Sequence, residues 1–287
     1  MGDFENQLRK LQLTMLEMLM LVDKICKEND IQYSLCSGTL LGAVRHKGFI
    51  PWDDDLDIRM TRENYDKFLE VWDKLQPEGY LLQNKENSPR FPSSFSKIRK
   101  CHTTFLQFES ERGAHHTGIF VDIFPLDRIP RNRIKKCIFY ISCLKYQIYT
   151  RDKSHLNSNA LVNLCAAILN SVTTFNHRMK SRERFIEKLK KINKDTSLPF
   201  VAIEVPSMLN IEFPNDLDQE YVELQFEDRM FMCFKKWDEY LRLKFGDYMK
   251  LPPESERVLK HHPIILDFEH DYDELMQIQK ESEKKNA

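Results

Sequence analysis

The sequence predicts an α+β fold with a helical insert. Three observations carry this: an N-terminal segment with helical apolar spacing, a series of short strand-like runs opened by a strand, turn, helix unit, and a middle stretch that turns helical before strands return. From Leu8 through Leu11, Met15, Met18, Val22 and Ile25, apolar residues recur at spacings of three and four. That is one face of a helix, suited to packing on the chain's own core or to a short coiled-coil seam. Ile31-Gln-Tyr33-Ser-Leu35 then alternates as a strand does and runs into Ser37-Gly38-Thr39, after which Leu40, Leu41, Ala43 and Val44 read as a short helix ending near Gly48.

The acidic run from Asp53 to Met60 ends in the acid and apolar alternation of a strand. A helix follows from about Arg62 to Leu75, with Thr61 as its N-cap. Runs around Tyr80–Leu82, Phe95–Ile98, Thr103–Phe108 and Gly118–Phe124 read as further strands, and from Arg133 to about Lys191 the pattern is helical. The first helix there mixes Lys135, Lys136, Lys145 and Arg151 with Phe139, Tyr140 and Tyr149. That composition suits either an amphipathic helix on a membrane surface or an ordinary solvated face over a core face. Strand-like pieces return at Phe200–Val205 and Tyr221–Phe234, a helix runs from Lys235 to about Phe245, and the charged tail after Met276 reads as frayed. The organisation expected is a catalytic core over residues 1–130, a helical insert over 131–195 and a C-terminal part over 196–287 that completes the domain.

Composition narrows the function. At 287 residues the chain can bury a sizeable core, and 43 basic against 44 acidic residues leave no global field for a nucleic-acid partner. The longest apolar stretches, Leu16–Val22 and Leu161–Leu169, fall short of the ~20 residues of a membrane span. Seven cysteines with no C-x-x-C pair, and an N-terminus without an apolar signal segment, lead us to expect reduced thiols in a cytoplasmic protein. Gly-rich phosphate loops, H-E-x-x-H and G-x-S-x-G are all missing from the sequence. His115-His116 and His261-His262 lack Cys or acidic partners at ligand spacing, so solvated or core-edge imidazoles are expected there.

The informative segment runs from Ser37 to Asp57. On a strand, residues two apart share a side, so Asp55 and Asp57, with Asp53 as a third, should project their carboxylates together. Such hard oxygen ligands suit magnesium or manganese with substrate phosphates completing the shell. A calcium loop fails on spacing: counted from Asp53, position six is Ile58 rather than Gly and position twelve is Asn64 rather than Glu. Upstream, the Gly38-Thr39 turn at a helix start offers backbone N–H groups and a hydroxyl to phosphate oxygens, with Arg45, His46 and Lys47 adding positive charge. Together these describe a site for a metal-bound nucleoside phosphate.

The run from Gly38 to Ile58, G-T-L-L-G-A-V-R-H-K-G-F-I-P-W-D-D-D-L-D-I, closely resembles the LicD family, which includes bacterial phosphocholine transferases and is related to the eukaryotic fukutin group. Gly118–Asp127 and the block from Tyr240 to Pro253 agree with it. The resemblance implies a nucleotidyltransferase-like mixed sheet flanked by helices. It implies Asp55 and Asp57 as metal ligands, Asp122 as a third carboxylate on a neighbouring strand, Asp127 as a weaker alternative, and Lys97 as a phosphate contact.

It further implies transfer of phosphocholine from CDP-choline to a hydroxyl of a surface-glycan precursor (lipopolysaccharide, teichoic acid or capsule type), releasing CMP. The metal would be Mg²⁺ or Mn²⁺, the acceptor a glycan or lipid-linked glycan, and the setting cytoplasmic; the membrane reading of the insert's first helix, which comes from its own composition, would add peripheral contact at the inner membrane face. A choline headgroup calls for aromatic faces, for which Trp52 is the candidate, or it wedges the strand against its helix. The rivals are transfer of glycerol, ribitol or ethanolamine phosphate, nucleotidyl transfer from a nucleoside triphosphate, and a non-catalytic scaffold.

Overall fold

Two parallel strands at the heart of one mixed sheet set the positions of the candidate acids. The computed structural model describes residues 2–88, 91, 93–108, 116–150, 164, 167–169, 171–203 and 211–286. In chain order these residues form α1 (Gly2–Glu28), β1 (Ser34–Leu35), α2 (Ser37–His46), β2 (Asp57–Thr61), α3 (Arg62–Leu75), β3 (Tyr80–Gln83), β4 (Ser96–Lys100), β5 (Thr104–Leu106) and β6 (Phe120–Arg128). They continue with α4 (Arg133–Thr150), α5 (Phe175–Asn193), β7 (Phe200–Val201), β8 (Tyr221–Phe226), β9 (Arg229–Phe234), α6 (Trp237–Phe245), β10 (Ile265–Asp267) and α7 (Tyr272–Asn286). The main sheet has the order β1-β2-β6-β4-β3, with β7 on the far end of β6. Strands β2 and β6 run parallel and the other pairs antiparallel. The expected mixed sheet flanked by helices is therefore present.

Leu11, Met15, Met18, Val22 and Ile25 of α1 are all buried in the main core, so the helical stripe packs on its own domain. Side chains alternate across β4, which puts Ser96 and Ile98 on one face and Lys97 and Arg99 on the other. Helix α3 covers the Ser96 face, where the Tyr65 hydroxyl meets Ser96 Oγ at 2.6 Å. A second, smaller cluster joins Phe139, Cys143 and Tyr146 of α4 to Phe185 and Leu189 of α5 and Val201 of β7. The two clusters are bridged by Asp127 at the end of β6, which is wholly buried. It accepts from Arg62 Nε and Nη2 at 2.9 and 2.7 Å and from Asn193 Nδ2 at 2.8 Å. Asp127 thus ties α3, the sheet and α5 together.

Several expectations are corrected. Strand β2 begins at Asp57, so Asp55 lies in the irregular segment before it and not on the strand. The cause is tertiary: Gln12 Nε2 donates to the Asp53 carbonyl at 3.0 Å, and Asp54 accepts the backbone N–H of His261, also at 3.0 Å, which draws this segment away from the ladder. The run Tyr221–Phe234 is two strands, because Glu227 adopts a left-handed φ of 59° and turns the chain. Thr61 stands at the N-cap position of α3, yet its hydroxyl accepts from the Asn64 side chain and caps no backbone N–H. The tail is helical as α7, its first turn closed by Glu274, which accepts from the Asp271 N–H at 2.9 Å. Cys165, Arg151, His115, Glu204, Val205 and most of Leu161–Leu169 lie outside the described residues. Of the other cysteines, Cys26, Cys36, Cys143 and Cys233 are buried and all six are free thiols.

Helix α2 approaches the following loop so closely that only glycine fits. A β-carbon at Gly42 would lie 2.4 Å from the Gly48 carbonyl oxygen and 3.3 Å from the Ile50 nitrogen, both backbone atoms that cannot swing aside. Gly42→Ala should therefore destabilise the protein by about 1–3 kcal/mol or more in urea unfolding. Arg62→Leu, which leaves the Asp127 carboxylate buried without its guanidinium, should cost about 3–5 kcal/mol in the same measurement.

Candidate active site

The pairing of three strands builds a polar row across the sheet. Asp57 on β2 is the register partner of Asp122 on β6, and Asp122 is in turn the partner of Lys97 on β4. Register partners point to the same face, so the three side chains stand abreast. Lys97 Nζ reaches Asp122 Oδ1 at 2.5 Å and lies 3.4 Å from the centroid of the Phe120 ring. All three residues are buried. Burial pulls the Lys97 ammonium below its ordinary value and the Asp122 carboxyl above it, each toward its neutral form.

The turn before α2 fixes the acid strand through its backbone. Cys36 N–H donates to the Asp57 carbonyl at 3.1 Å, and Asp57 N–H donates to Thr39 Oγ1 at 2.8 Å. The Thr39 hydroxyl oxygen expected to face a phosphate thus holds Asp57 in place. Ser37, with φ at 51°, takes the left-handed region at this junction, a conformation that costs a non-glycine residue energy and is met at functional sites. At Gly38 a β-carbon would come within 2.7 Å of Asp53 Oδ2, so glycine makes room there for a carboxylate.

The acids before the strand divide into two environments. Asp53 is buried, and among the described residues no donor meets its Oδ2. Burial first, and the Asp55 charge second, push its carboxyl up to about 8. Asp57 is likewise pushed well above the usual range by burial, with Asp55 and Asp122 adding to the shift. Asp54 behaves in the opposite way. Burial would raise it, but His261 and the backbone N–H groups of Lys260 and His261 outweigh that and hold it low.

His261 Nδ1 lies 3.0 Å from Asp54 Oδ1, and its Nε2 lies 3.8 Å from Asp55 Oδ2. Although burial favours its neutral form, these two acids raise it. From α6, Lys244 hydrogen-bonds Ser37 Oγ and its charge lowers Asp57. His261 and Lys244 are the site residues that sequence reasoning passed over. The His261-His262 pair was visible, but its acidic partners stand about two hundred positions away. Lys244 carried only the signal of lying in the Tyr240–Pro253 block.

Of the residues expected to meet phosphate, Gly38, Thr39 and Lys97 lie in this centre. Arg45 stands in the last turn of α2, where its Nη1 donates to the Tyr248 carbonyl at 2.9 Å. Trp52 carries the Arg257 guanidinium 5.6 Å from its ring centroid and has the His46 ring edge-on at 6.3 Å. Among the described residues, ligand atoms gather within 4.8 Å as Asp54, Asp55 and His261, and as His102, Asp271 and Glu274; Asp55, Asp57 and Asp122 form no such set. They remain coupled by charge, since Asp57 feels both of the others. A buried, oxygen-rich cluster that raises its own pKa values, and in which no donor among the described residues meets Asp53 Oδ2, fits the donor chemistry of a hard divalent cation.

Residues 30–150 match the family model described as LicD/FKTN/FKRP, nucleotidyltransferase domain. Over 267 residues the chain is 30% identical to the lipopolysaccharide cholinephosphotransferase LicD of Haemophilus influenzae, covering 88% of this chain and 96% of that protein. Uncharacterized proteins of Rickettsia typhi and Rickettsia prowazekii match at 36% over 77 residues and 38% over 73, about a quarter of each chain.

Asp53 gives the site a pH signature. Its carboxyl holds a proton more tightly when folded, with a pKa of about 8 against an ordinary 3.8. Its contribution to stability is therefore whole below about pH 4 and is lost as pH rises through about 8. In chelator, the melting temperature of Asp53→Asn should gain on that of the wild type between about pH 5 and pH 8. A gap between the two that stays constant over that range would refute the assignment.

Proposed function

The chain belongs to the LicD family, and from that premise we propose that it transfers phosphocholine from CDP-choline to a hydroxyl of a lipopolysaccharide-type glycan precursor, releasing CMP. The observation that carries the reading is the Asp57, Asp122, Lys97 row beside the Gly38-Thr39 turn. It forms a buried acid centre on a sheet that we read as nucleotidyltransferase-like. Support for the headgroup and the acceptor comes from the Haemophilus relative, whose name specifies both.

Asp55, Asp57 and Asp122 would hold Mg²⁺ or Mn²⁺. The ion would supply charge stabilisation to the phosphoryl oxygens as the bond to CMP breaks. Lys97 holds Oδ1 of Asp122 and orients that carboxylate. Asp122 has one role or the other: it helps to hold an ion, or its other oxygen takes the acceptor hydroxyl's proton as the hydroxyl oxygen bonds to phosphorus, and CMP departs with the electron pair of the broken P–O bond. Thr39 and Cys36 keep Asp57 from moving as charge develops. Lys244 adds a positive charge on the turn side through Ser37.

Phosphorus NMR of the purified protein with magnesium, a bacterial glycan fraction and a panel of CDP-alcohols and nucleoside triphosphates tests this reading. CMP should form from CDP-choline, and Asp55→Asn or Asp57→Asn should lower that rate by at least about a thousandfold while the chain stays folded. CMP from CDP-glycerol or CDP-ribitol alone would replace the headgroup. Pyrophosphate from a triphosphate would replace the reaction class, and normal turnover in a folded Asp57→Asn variant would remove the site.

A further inference from the structure

Helix α4 is apolar on two opposite faces. Phe139, Cys143 and Tyr146 fill the smaller core, while Ile134, Ile138, Ile141 and Leu144 project from the other side and are between 45% and 73% exposed. Spacings of four, three and three place these four on a single stripe. A second stripe of the same kind follows in Leu164, Ile168 and Val172, each more than half exposed. Single exposed apolar residues are ordinary on a protein surface, whereas aligned runs of them mark a surface built to be covered.

Charge identifies the cover. Helix α4 contains no acidic residue, and from Arg133 to Ser181 the sequence holds eight Lys and Arg against the single acid Asp152, a formal +7 in a chain whose total is −1. Arg133, Lys135 and Lys145 are exposed beside the stripe on α4, with stems long enough to lie along apolar surface while the cations reach outward. An ordinary solvated face would mix both signs and hold no aligned isoleucines. A protein partner would leave the uniform positive sign unexplained, while an anionic bilayer surface matches the apolar stripe and the cations together. No described helix is long and apolar enough to cross a membrane, so the contact implied is peripheral.

We propose that the insert, through the outer face of α4 together with Leu164, Ile168 and Val172, docks this protein on the surface of an anionic phospholipid membrane. The inference stands on this surface alone and does not depend on the reaction proposed above.

The test is flotation of the full chain with vesicles of phosphatidylglycerol and phosphatidylethanolamine, compared with phosphatidylcholine vesicles and repeated at high salt, with no nucleotide present. Wild type should float with the anionic vesicles, and high salt and phosphatidylcholine should each weaken binding. A variant carrying Ile134→Ser, Ile138→Ser and Ile141→Ser should bind at least about tenfold more weakly, as should a second variant carrying Lys135→Glu and Lys145→Glu. The charge variant keeps the test decisive if the serine variant folds poorly. Wild type that ignores anionic vesicles, or variants that bind as wild type does, would overturn the proposal. So would a wild-type dimer in sedimentation velocity that the isoleucine substitutions dissolve, since a second copy would then be the cover.

Discussion

Acidic side chains crowded out of water where the two central strands of a sheet begin are the constraint around which this protein is arranged. Asp53, Asp54, Asp57 and Asp122 are all buried, and isolated carboxylates in such surroundings would be protonated or would disrupt the fold. Each has received its own remedy. Asp122 has the Lys97 ammonium, itself lodged against the Phe120 ring, and Asp54 has the His261 imidazole with two backbone N–H groups. Asp57 and Asp53 are compensated least, and theirs are the carboxyls pushed furthest up. A buried group left short of counter-charge is poor for stability and well suited to taking up a cation or a proton, which is why such groups concentrate where chemistry is done.

Backbone contacts make that arrangement rigid. Asp57 is held on both sides of its own peptide unit by Cys36 and Thr39, so the start of α2 and the start of β2 form one piece. The glycines serve the same end. Gly42 lets α2 lie on the Gly48–Ile50 loop, and Gly38 leaves room for the Asp53 carboxylate. The loop is anchored from outside as well, because Glu227 accepts the Phe49 N–H and pairs with Arg9 of α1. Helix α1, the α2 turn and the β8/β9 hairpin thereby converge on the segment that carries the acids.

The insert follows a different logic. Its inner faces meet in a small cluster of their own, and buried Asp127 helps to join that cluster to α3 and the sheet, alongside the β6/β7 pairing. The outer face of α4 is apolar and cationic while the rest of the chain bears the balancing negative charge. The buried acid row and the outward-facing surface therefore occupy separate layers of the fold.

Local pattern was enough to place helices α1 and α3, the α2 turn, the strand at Asp57 and the family to which the Gly38–Ile58 run belongs, because each depends on residues within a few positions of one another. It misplaced Asp55, which reads as a strand residue until Gln12 and His261 are seen pulling on its neighbours. It also missed His261 and Lys244 as members of the site. The Asp57, Asp122, Lys97 row was beyond its reach as geometry, since the three come abreast only through the register of three strands. Nor could it say which faces of α4 would be buried. Spacing along a chain fixes which side of an element a residue takes, whereas counter-charges, burial and cross-strand neighbours depend on which distant elements meet, and packing alone decides that.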